Sequence, residues 1–264
     1  MSLLSNFLDA LEAIIGKPVV PVVPAPPVDL SPAQEPQAPT IELQPEVVAP
    51  KMEEPKTEPT KTEPSPLKPQ WNFVSKNLAK LSEADYQNAA DLLGVEVACV
   101  KAVTSVESSG GGFYASGLPK ILFEAHVFAR QTAQKYNISN PKISSAKWNK
   151  ALYAGGEKEL NRLKEAMTLD ESAALRSASW GLFQILGINH KACGFNSVQE
   201  FVTAHVESEA KQLDAFVKFL KANKMDVSLR NKNWQAFAKA YNGPAFKSNS
   251  YDTKLEAAYN KFKA

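Results

Sequence analysis

The chain has 264 residues, a formal net charge of +2 at pH 7, and hydrophobic side chains at 44% of its positions. No apolar run approaches the ~20 residues needed to span a bilayer, so the composition excludes an ordinary transmembrane protein. Two cysteines, Cys99 and Cys193, cannot make a disulfide framework, and no Cys/His cluster has the spacing of a metal site. We therefore expect two buried thiols and no bound metal.

Residues 1–17 are predicted to form one amphipathic helix. Their apolar side chains recur at helical spacing and comprise Leu3, Leu4, Phe7, Leu8, Leu11, Ile14 and Ile15. Because a lone helix cannot bury this stripe, we expect it to dock to another protein or to a second copy of the chain. A tail without function is the alternative. The segment has no basic region ahead of its apolar residues, so it is not a normal secretory signal peptide.

Residues 18–69 are predicted to be a disordered, largely extended linker. They contain 15 of the 18 prolines and no aromatic residue, and such a segment cannot bury enough apolar surface to offset its ordering entropy. Residues 1–69 carry a net charge of −5, so residues 70–264 carry +7 and are long enough for one domain with a sizeable core. A basic domain suits an anionic substrate or surface, although solubility alone also explains the charge.

Residues 70–264 have a mainly helical pattern. Ser82 is predicted to cap a first helix that ends at Gly94, and Asp170 is interpreted as a helix cap rather than a catalytic base. Further helices are predicted at about 95–106, 126–136, 160–167, 197–206, 207–222, 231–241 and 251–262. Residues 113–114 and 118–124 are predicted to pair as a short β-hairpin with Gly117 in its turn. The predicted fold class is therefore mainly α (α+β), with a small β-hairpin.

Glu107 has the sequence setting of a catalytic acid. It is predicted to end a helix, because three consecutive glycines at 110–112 cannot continue one cheaply. Val103, Val106 and Phe113 surround it with apolar residues in sequence, which raises a carboxyl pKa, and the negative end of the helix dipole raises it further. A carboxyl that stays protonated near neutral pH is what glycosidic bond cleavage requires.

Three short segments place Glu107 in a wider pattern: Val106-Glu-Ser-Ser-Gly110, Gly181-Leu-Phe-Gln-Ile185 and Ala240-Tyr-Asn-Gly-Pro244. In this order they resemble the lysozyme-like superfamily, as in goose-type lysozymes and lytic transglycosylases. A closer similarity, over about residues 80–264, is to the N-acetylmuramidase domain of phage endolysins that attack Gram-negative cell walls. The matching stretches are Val106-Glu-Ser-Ser-Gly-Gly-Gly-Phe113, Pro119-Lys-Ile-Leu-Phe-Glu-Ala-His126, Ser177-Ala-Ser-Trp-Gly-Leu-Phe-Gln184 and Gln212-Leu-Asp-Ala-Phe216.

The resemblance implies a lysozyme-like helical domain in which Glu107 is the catalytic acid. The segment with Gln184 would line the saccharide cleft, and the segment with Tyr241 and Asn242 would face Glu107. The residues expected to contact the sugar chain are Phe113, His126, Trp180, Gln184, Tyr241 and Asn242. For Trp180 and Tyr241, packing in the core is the alternative.

Glu124 is predicted to be the second carboxylate of the site, as a base or as a stabiliser of an oxocarbenium-like state. If its segment stays extended, Glu124 and His126 point to one side, and His126 would orient the carboxylate rather than catalyse. The alternative is a structural Glu paired with His126 or with a lysine.

The function expected from this resemblance is hydrolysis of the β-1,4 bond between N-acetylmuramic acid and N-acetylglucosamine in bacterial peptidoglycan. Neither a cofactor nor a nucleic-acid partner is expected. A lytic transglycosylase, which forms a 1,6-anhydro product, and a non-catalytic wall-binding virion protein are the alternatives. Without a signal peptide, the protein is expected in the host cytoplasm until a holin-type pore gives it access to the wall.

Overall fold

The structure is a computed structural model that describes residues 71–108, 110–243, 246–247 and 250–264. The helix predicted for residues 1–17 and the linker predicted for residues 18–69 lie outside the described residues. Across the part that is described, no helix is both long enough and apolar enough to cross a membrane. The mainly helical fold class predicted from the sequence is confirmed, and a small antiparallel sheet accompanies the helices.

Two helices lead to Glu107. Helix α1 (Glu83–Leu93) begins with a capping box between Ser82 and Asp85, and it ends at Gly94, whose φ of 65° suits glycine. Helix α2 (Val97–Glu107) contains several β-branched residues that disfavour a helix, so burial of its apolar face must hold it. Its buried residues are Ala98, Cys99, Val100, Ala102, Val103 and Thr104.

The sheet has three short strands in the order β1 (Ile121–Phe123), β2 (Ala178–Trp180) and β3 (Ile185–Leu186), and both pairings are antiparallel. Every residue of the three strands is buried. The hairpin predicted for residues 113–124 is reduced to a single bridge between Phe113 and Pro119, because β1 pairs with β2 from a distant part of the chain. Two-sided burial removes the alternation that would reveal such strands in a sequence.

Eight further helices follow along the described chain. They are α3 (Ala125–Gln131), α4 (Glu159–Leu169), α5 (Glu171–Arg176), α6 (Val198–Glu207), α7 (Glu209–Ala222), α8 (Asp226–Arg230), α9 (Trp234–Asn242) and α10 (Tyr251–Lys263). Single 3₁₀ turns lie at Lys150–Leu152, Gly156–Lys158 and Gly187–Asn189. Asp170 caps α5 by accepting the Ala173 N–H, which confirms its predicted role as a helix cap.

The core places the C-terminal end of α2 against the C-terminal helices. Helix α10 packs along α2, and α1 packs on both α2 and α7. The largest fully buried side chains are Trp180, Phe123, Phe128, Phe201, Phe216, Phe237, Leu93, Ile143, Leu163, Leu175, Leu213 and Leu220. Cys99 and Cys193 are both free and buried, as predicted.

Candidate active site

The carboxyl of Glu107, the last residue of α2, is largely enclosed by protein, although the residue keeps some exposed surface. Its Oε1 atom is fully enclosed and has no hydrogen-bond partner among the described residues. Burial raises the pKa of Glu107 to about 8, and the nearby Asn242 side chain opposes this rise only in part. Because neutral pH lies below this pKa, most of the molecules hold the Glu107 proton at pH 7.

The end of α9 and the start of α10 lie beside Glu107. Asn242 is only 2% exposed and lies within reach of the Glu107 carboxyl, yet neither atom of its side-chain amide makes a hydrogen bond of good geometry with the described residues. Burial raises the pKa values of Tyr241 and Tyr251, and the charge of Glu107 raises both further, which places the two phenols near the carboxyl. Buried amides almost always form hydrogen bonds. The side chains of Glu107 and Asn242 therefore offer donor and acceptor atoms to which a bound ligand could form hydrogen bonds.

The loop after β2 presents Gln184. Its φ of 48° is a left-handed backbone conformation that residues other than glycine rarely adopt, and such strain concentrates at functional sites. The Gln184 amide donates to the backbone oxygens of Lys120 (3.1 Å) and Gly181 (2.8 Å), which fixes its orientation. The Tyr241 hydroxyl donates to the Phe183 oxygen (3.1 Å) and so ties this loop to α9.

Glu124 lies directly before α3 and has no exposed surface. The Tyr153 hydroxyl donates to its Oε2, and Nδ1 of His126 lies 3.3 Å from the same oxygen. Burial raises the pKa of Glu124 to about 7, against the opposing effect of the Tyr153 hydrogen bond. Burial lowers the pKa of His126 to about 4, so the imidazole is neutral at pH 7.

The predicted extended segment through Glu124 and His126 is corrected by the structure. Helix α3 begins at Ala125, and the two side chains meet across its first turn rather than along one side of a strand. Their contact is the one expected for the structural alternative. Tyr153, which donates to Glu124, was not predicted, because no sequence feature links a loop tyrosine to a carboxyl 29 residues earlier.

Trp180 and Phe113, both predicted to contact sugar, are packed in the core. Trp180 is fully buried, donates its indole N–H to the Leu175 oxygen (3.2 Å), and stacks on Phe73 at a centroid distance of 6.0 Å. Its ring therefore offers no free face to a pyranose. Phe113 is 7% exposed and bridges to Pro119. The position of Trp180 agrees with packing in the core, the alternative to sugar binding that the sequence left open. The sequence alone does not separate these two roles for an aromatic residue on a short strand.

These contacts define what the site can do chemically. A protonated carboxyl at a helix end, next to a buried amide with free donor and acceptor atoms, can deliver a proton to a polar group bound there. A protonated carboxyl of this kind is what the cleavage of a glycosidic bond requires.

Comparisons with known proteins show the family to which the chain belongs. Residues 96–263 match the Muramidase family, described as N-acetylmuramidase, and the chain belongs to this family. It is also similar to a solved structure described as a Burkholderia AP3 phage endolysin, with 44% identity and a TM-score of 0.67. That similarity covers 69% of this chain and 71% of the endolysin chain. No curated protein matches. The family resemblance predicted from the sequence is thus confirmed.

Proposed function

We propose that this protein is an endolysin that cleaves the β-1,4 bond between N-acetylmuramic acid and N-acetylglucosamine in bacterial peptidoglycan. Membership of the N-acetylmuramidase family and similarity to a phage endolysin support the substrate class. The observation that carries the proposal is the position of the Glu107 carboxyl at the end of α2, where its Oε1 is enclosed beside Asn242 and burial raises its pKa to about 8.

Glu107 is the general acid in this proposal. Its proton passes to the glycosidic oxygen as the bond to N-acetylmuramic acid breaks, and positive charge develops at the sugar's anomeric carbon. Water then adds at that carbon and gives up a proton to the Glu107 carboxylate, which restores the acid and leaves a free reducing end. The unbonded amide of Asn242 is suited to a sugar hydroxyl or acetamido group, since ligand binding would satisfy both of its polar atoms. Gln184, fixed by two backbone carbonyls, would bind beside it.

Glu124 is proposed to be structural rather than a base. Its carboxyl has no exposed surface, its Oε2 is occupied by Tyr153, and His126 packs against it. A base that activates water must reach the water, and a fully buried carboxyl reaches none in this arrangement. The same burial favours one competing activity, a lytic transglycosylase, because that reaction needs only the carboxyl of Glu107.

Mass spectrometry of digested peptidoglycan tests this proposal. Hydrolysis leaves N-acetylmuramic acid with a free reducing end that borohydride reduces, so every new chain end should gain two hydrogens on reduction. A transglycosylase product lacks one water relative to this and resists borohydride. Reducing ends on N-acetylglucosamine would instead identify a glucosaminidase, and an absence of new ends would leave only wall binding.

A further inference from the structure

Two loops meet beside Glu107, and the first turns of α7 contact both. Glu209 accepts a hydrogen bond from the Gly112 N–H (2.8 Å), in the loop that follows Glu107. Gln212, one turn later, accepts from the Leu182 N–H (2.7 Å), in the loop that carries Gln184. The Gln212 amide also donates to the His205 oxygen (2.7 Å), so both ends of this side chain are fixed.

The side chain of Gln212 packs directly against the backbone of two glycines, Gly112 and Gly181. A Cβ atom on Gly112 would lie 2.1 Å from Oε1 of Gln212, and a Cβ atom on Gly181 would lie 2.5 Å from its Cδ. Real Cβ atoms do not approach other atoms this closely, so both positions require glycine while Gln212 keeps its place. The amide of Gln212 is therefore inserted between the two loops, at the point where each has no side chain.

A backbone bridge joins the same two loops. The Lys120 N–H donates to the Gly112 oxygen (2.9 Å), and the Lys120 oxygen accepts from the Gly181 N–H (2.8 Å). That same oxygen accepts the Gln184 amide. One connected group of hydrogen bonds thus sets the position of Gln184 relative to the loop after Glu107. Glu209 and Gln212 hold this group from the side of α7.

We propose that Gln212 is a positioning residue for catalysis by Glu107, because it fixes the two loops of the site against each other. This inference rests on the proposed function. A core position on a helix would ordinarily favour an apolar side chain, since burying an amide costs free energy unless it is bonded. Gln212 is fully buried, and its hydrogen bonds reach a loop backbone that no apolar side chain could hold.

Gln212→Met tests this, because methionine has a similar length and makes neither hydrogen bond. On soluble glycan chains, well below the melting temperature, kcat should fall roughly 10- to 100-fold while KM changes much less, as expected for misplaced catalytic groups. Leu220→Ala is the matched control. It lies eight residues, about 12 Å, farther along α7 and is fully buried, so it should lower the melting temperature without lowering kcat.

A pH profile gives a readout that a purely structural role would not move. If the loops loosen, water should reach Glu107 and lower its pKa, so the alkaline fall in kcat/KM should move to lower pH in Gln212→Met. The groups that the structure places around Glu107 are Asn242 and the phenols of Tyr241 and Tyr251, and both phenols remain neutral across this range. Leu220→Ala should keep the wild-type profile.

Gly112→Ala disturbs the contact between Gly112 and Gln212 by a change in the loop, without altering any residue of α7. Its backbone is not left-handed, so the added methyl group acts through the clash with Gln212 alone. We expect a loss of kcat similar to that of Gln212→Met. Wild-type kcat and pH profile in both variants, with only a lower melting temperature, would overturn the inference. That result is distinct from failure of the proposed function, which would appear as retained activity in Glu107→Gln.

Discussion

At the scale of single residues, two buried carboxyls with raised pKa values differ in what surrounds them. Each carboxyl keeps one buried oxygen without a hydrogen-bond partner among the described residues, but Glu107 lies beside the Asn242 amide, whereas Oε2 of Glu124 accepts the Tyr153 hydroxyl and lies against His126. The sequence could predict the setting of Glu107, since a helix end and three glycines are local features. It could not reveal Tyr153 or Tyr251, because their contacts depend on how distant segments fold together.

The pH dependence of activity should follow the pKa of Glu107. A general acid works in its protonated form, and this group is protonated below about pH 8 and loses its proton above it. We therefore expect kcat/KM to fall tenfold for each pH unit well above that value. Rates on soluble glycan chains from pH 5 to 10 provide the measurement, with folding checked by circular dichroism at each pH. A fall centred below about pH 6 would contradict a desolvated acid.

Glu124→Gln should retain most of the wild-type rate. The amide oxygen of glutamine can still accept the Tyr153 hydroxyl, and the substitution removes no group that reaches solvent. If Glu124 were a base, its pKa of about 7 would also remove activity as pH falls through that value, and the Gln variant would be inactive. Steady-state rates of Glu124→Gln at pH 6 and pH 8 distinguish a structural Glu124 from a catalytic base. Tyr153→Phe is the control, because it removes the hydrogen bond between Tyr153 and Glu124 and keeps the carboxyl.

At the scale of elements, most of the helices were predictable and the sheet was not. Ser82, Gly94 and Asp170 mark helix ends through local hydrogen bonding, so those boundaries agree with the sequence. Strands β2 and β3 carry no alternating pattern, because both faces are buried. The short helix α8 also lies in a segment with no predicted element. The left-handed backbone of Gln184 was not predicted either, because its side chain also bonds to Lys120, which is 64 residues away in the sequence.

A buried ion pair attaches α4 to the sheet. Glu159 accepts from the Ala154 N–H (2.6 Å) and pairs with Arg162 (2.8 Å), which also donates to the Phe123 oxygen (2.9 Å). Arg162→Met would leave Glu159 as an unpaired buried charge, at a cost of about 3–5 kcal/mol in the free energy of unfolding. Lys164→Met, on the exposed face of the same helix, is the matched control and should change stability little. Urea denaturation measures both, and equal stabilities would refute this role.

At the scale of the whole molecule, the candidate site is assembled from three separate parts of one domain. These are the end of α2 with its glycine loop, the loop between β2 and β3, and the region where α9 ends and α10 begins. The order of these segments was visible in the sequence, and the family match spans all of them. Glu209 and Gln212 of α7, which had no predicted role, form hydrogen bonds to the first two of these parts.

Residues 70–264 should suffice for turnover. Every residue proposed for the site lies within the family match at 96–263, so a truncated protein that begins at residue 70 should keep the wild-type kcat/KM on soluble glycan chains. The N-terminal 69 residues would then affect only location or assembly, as the amphipathic pattern of residues 1–17 predicts. A folded truncation with a markedly lower kcat/KM would show that the N-terminal part contributes to the site.

The central claim is that Glu107 supplies the proton that breaks the glycosidic bond. The most direct test is the initial rate of Glu107→Gln on purified peptidoglycan, compared with wild type at equal concentrations of folded protein. Glutamine keeps the size of the side chain but has no acidic proton, so the rate should fall by roughly 10²- to 10⁴-fold while the melting temperature is maintained or rises. A folded Glu107→Gln protein that keeps more than about a tenth of the wild-type rate would contradict the assignment.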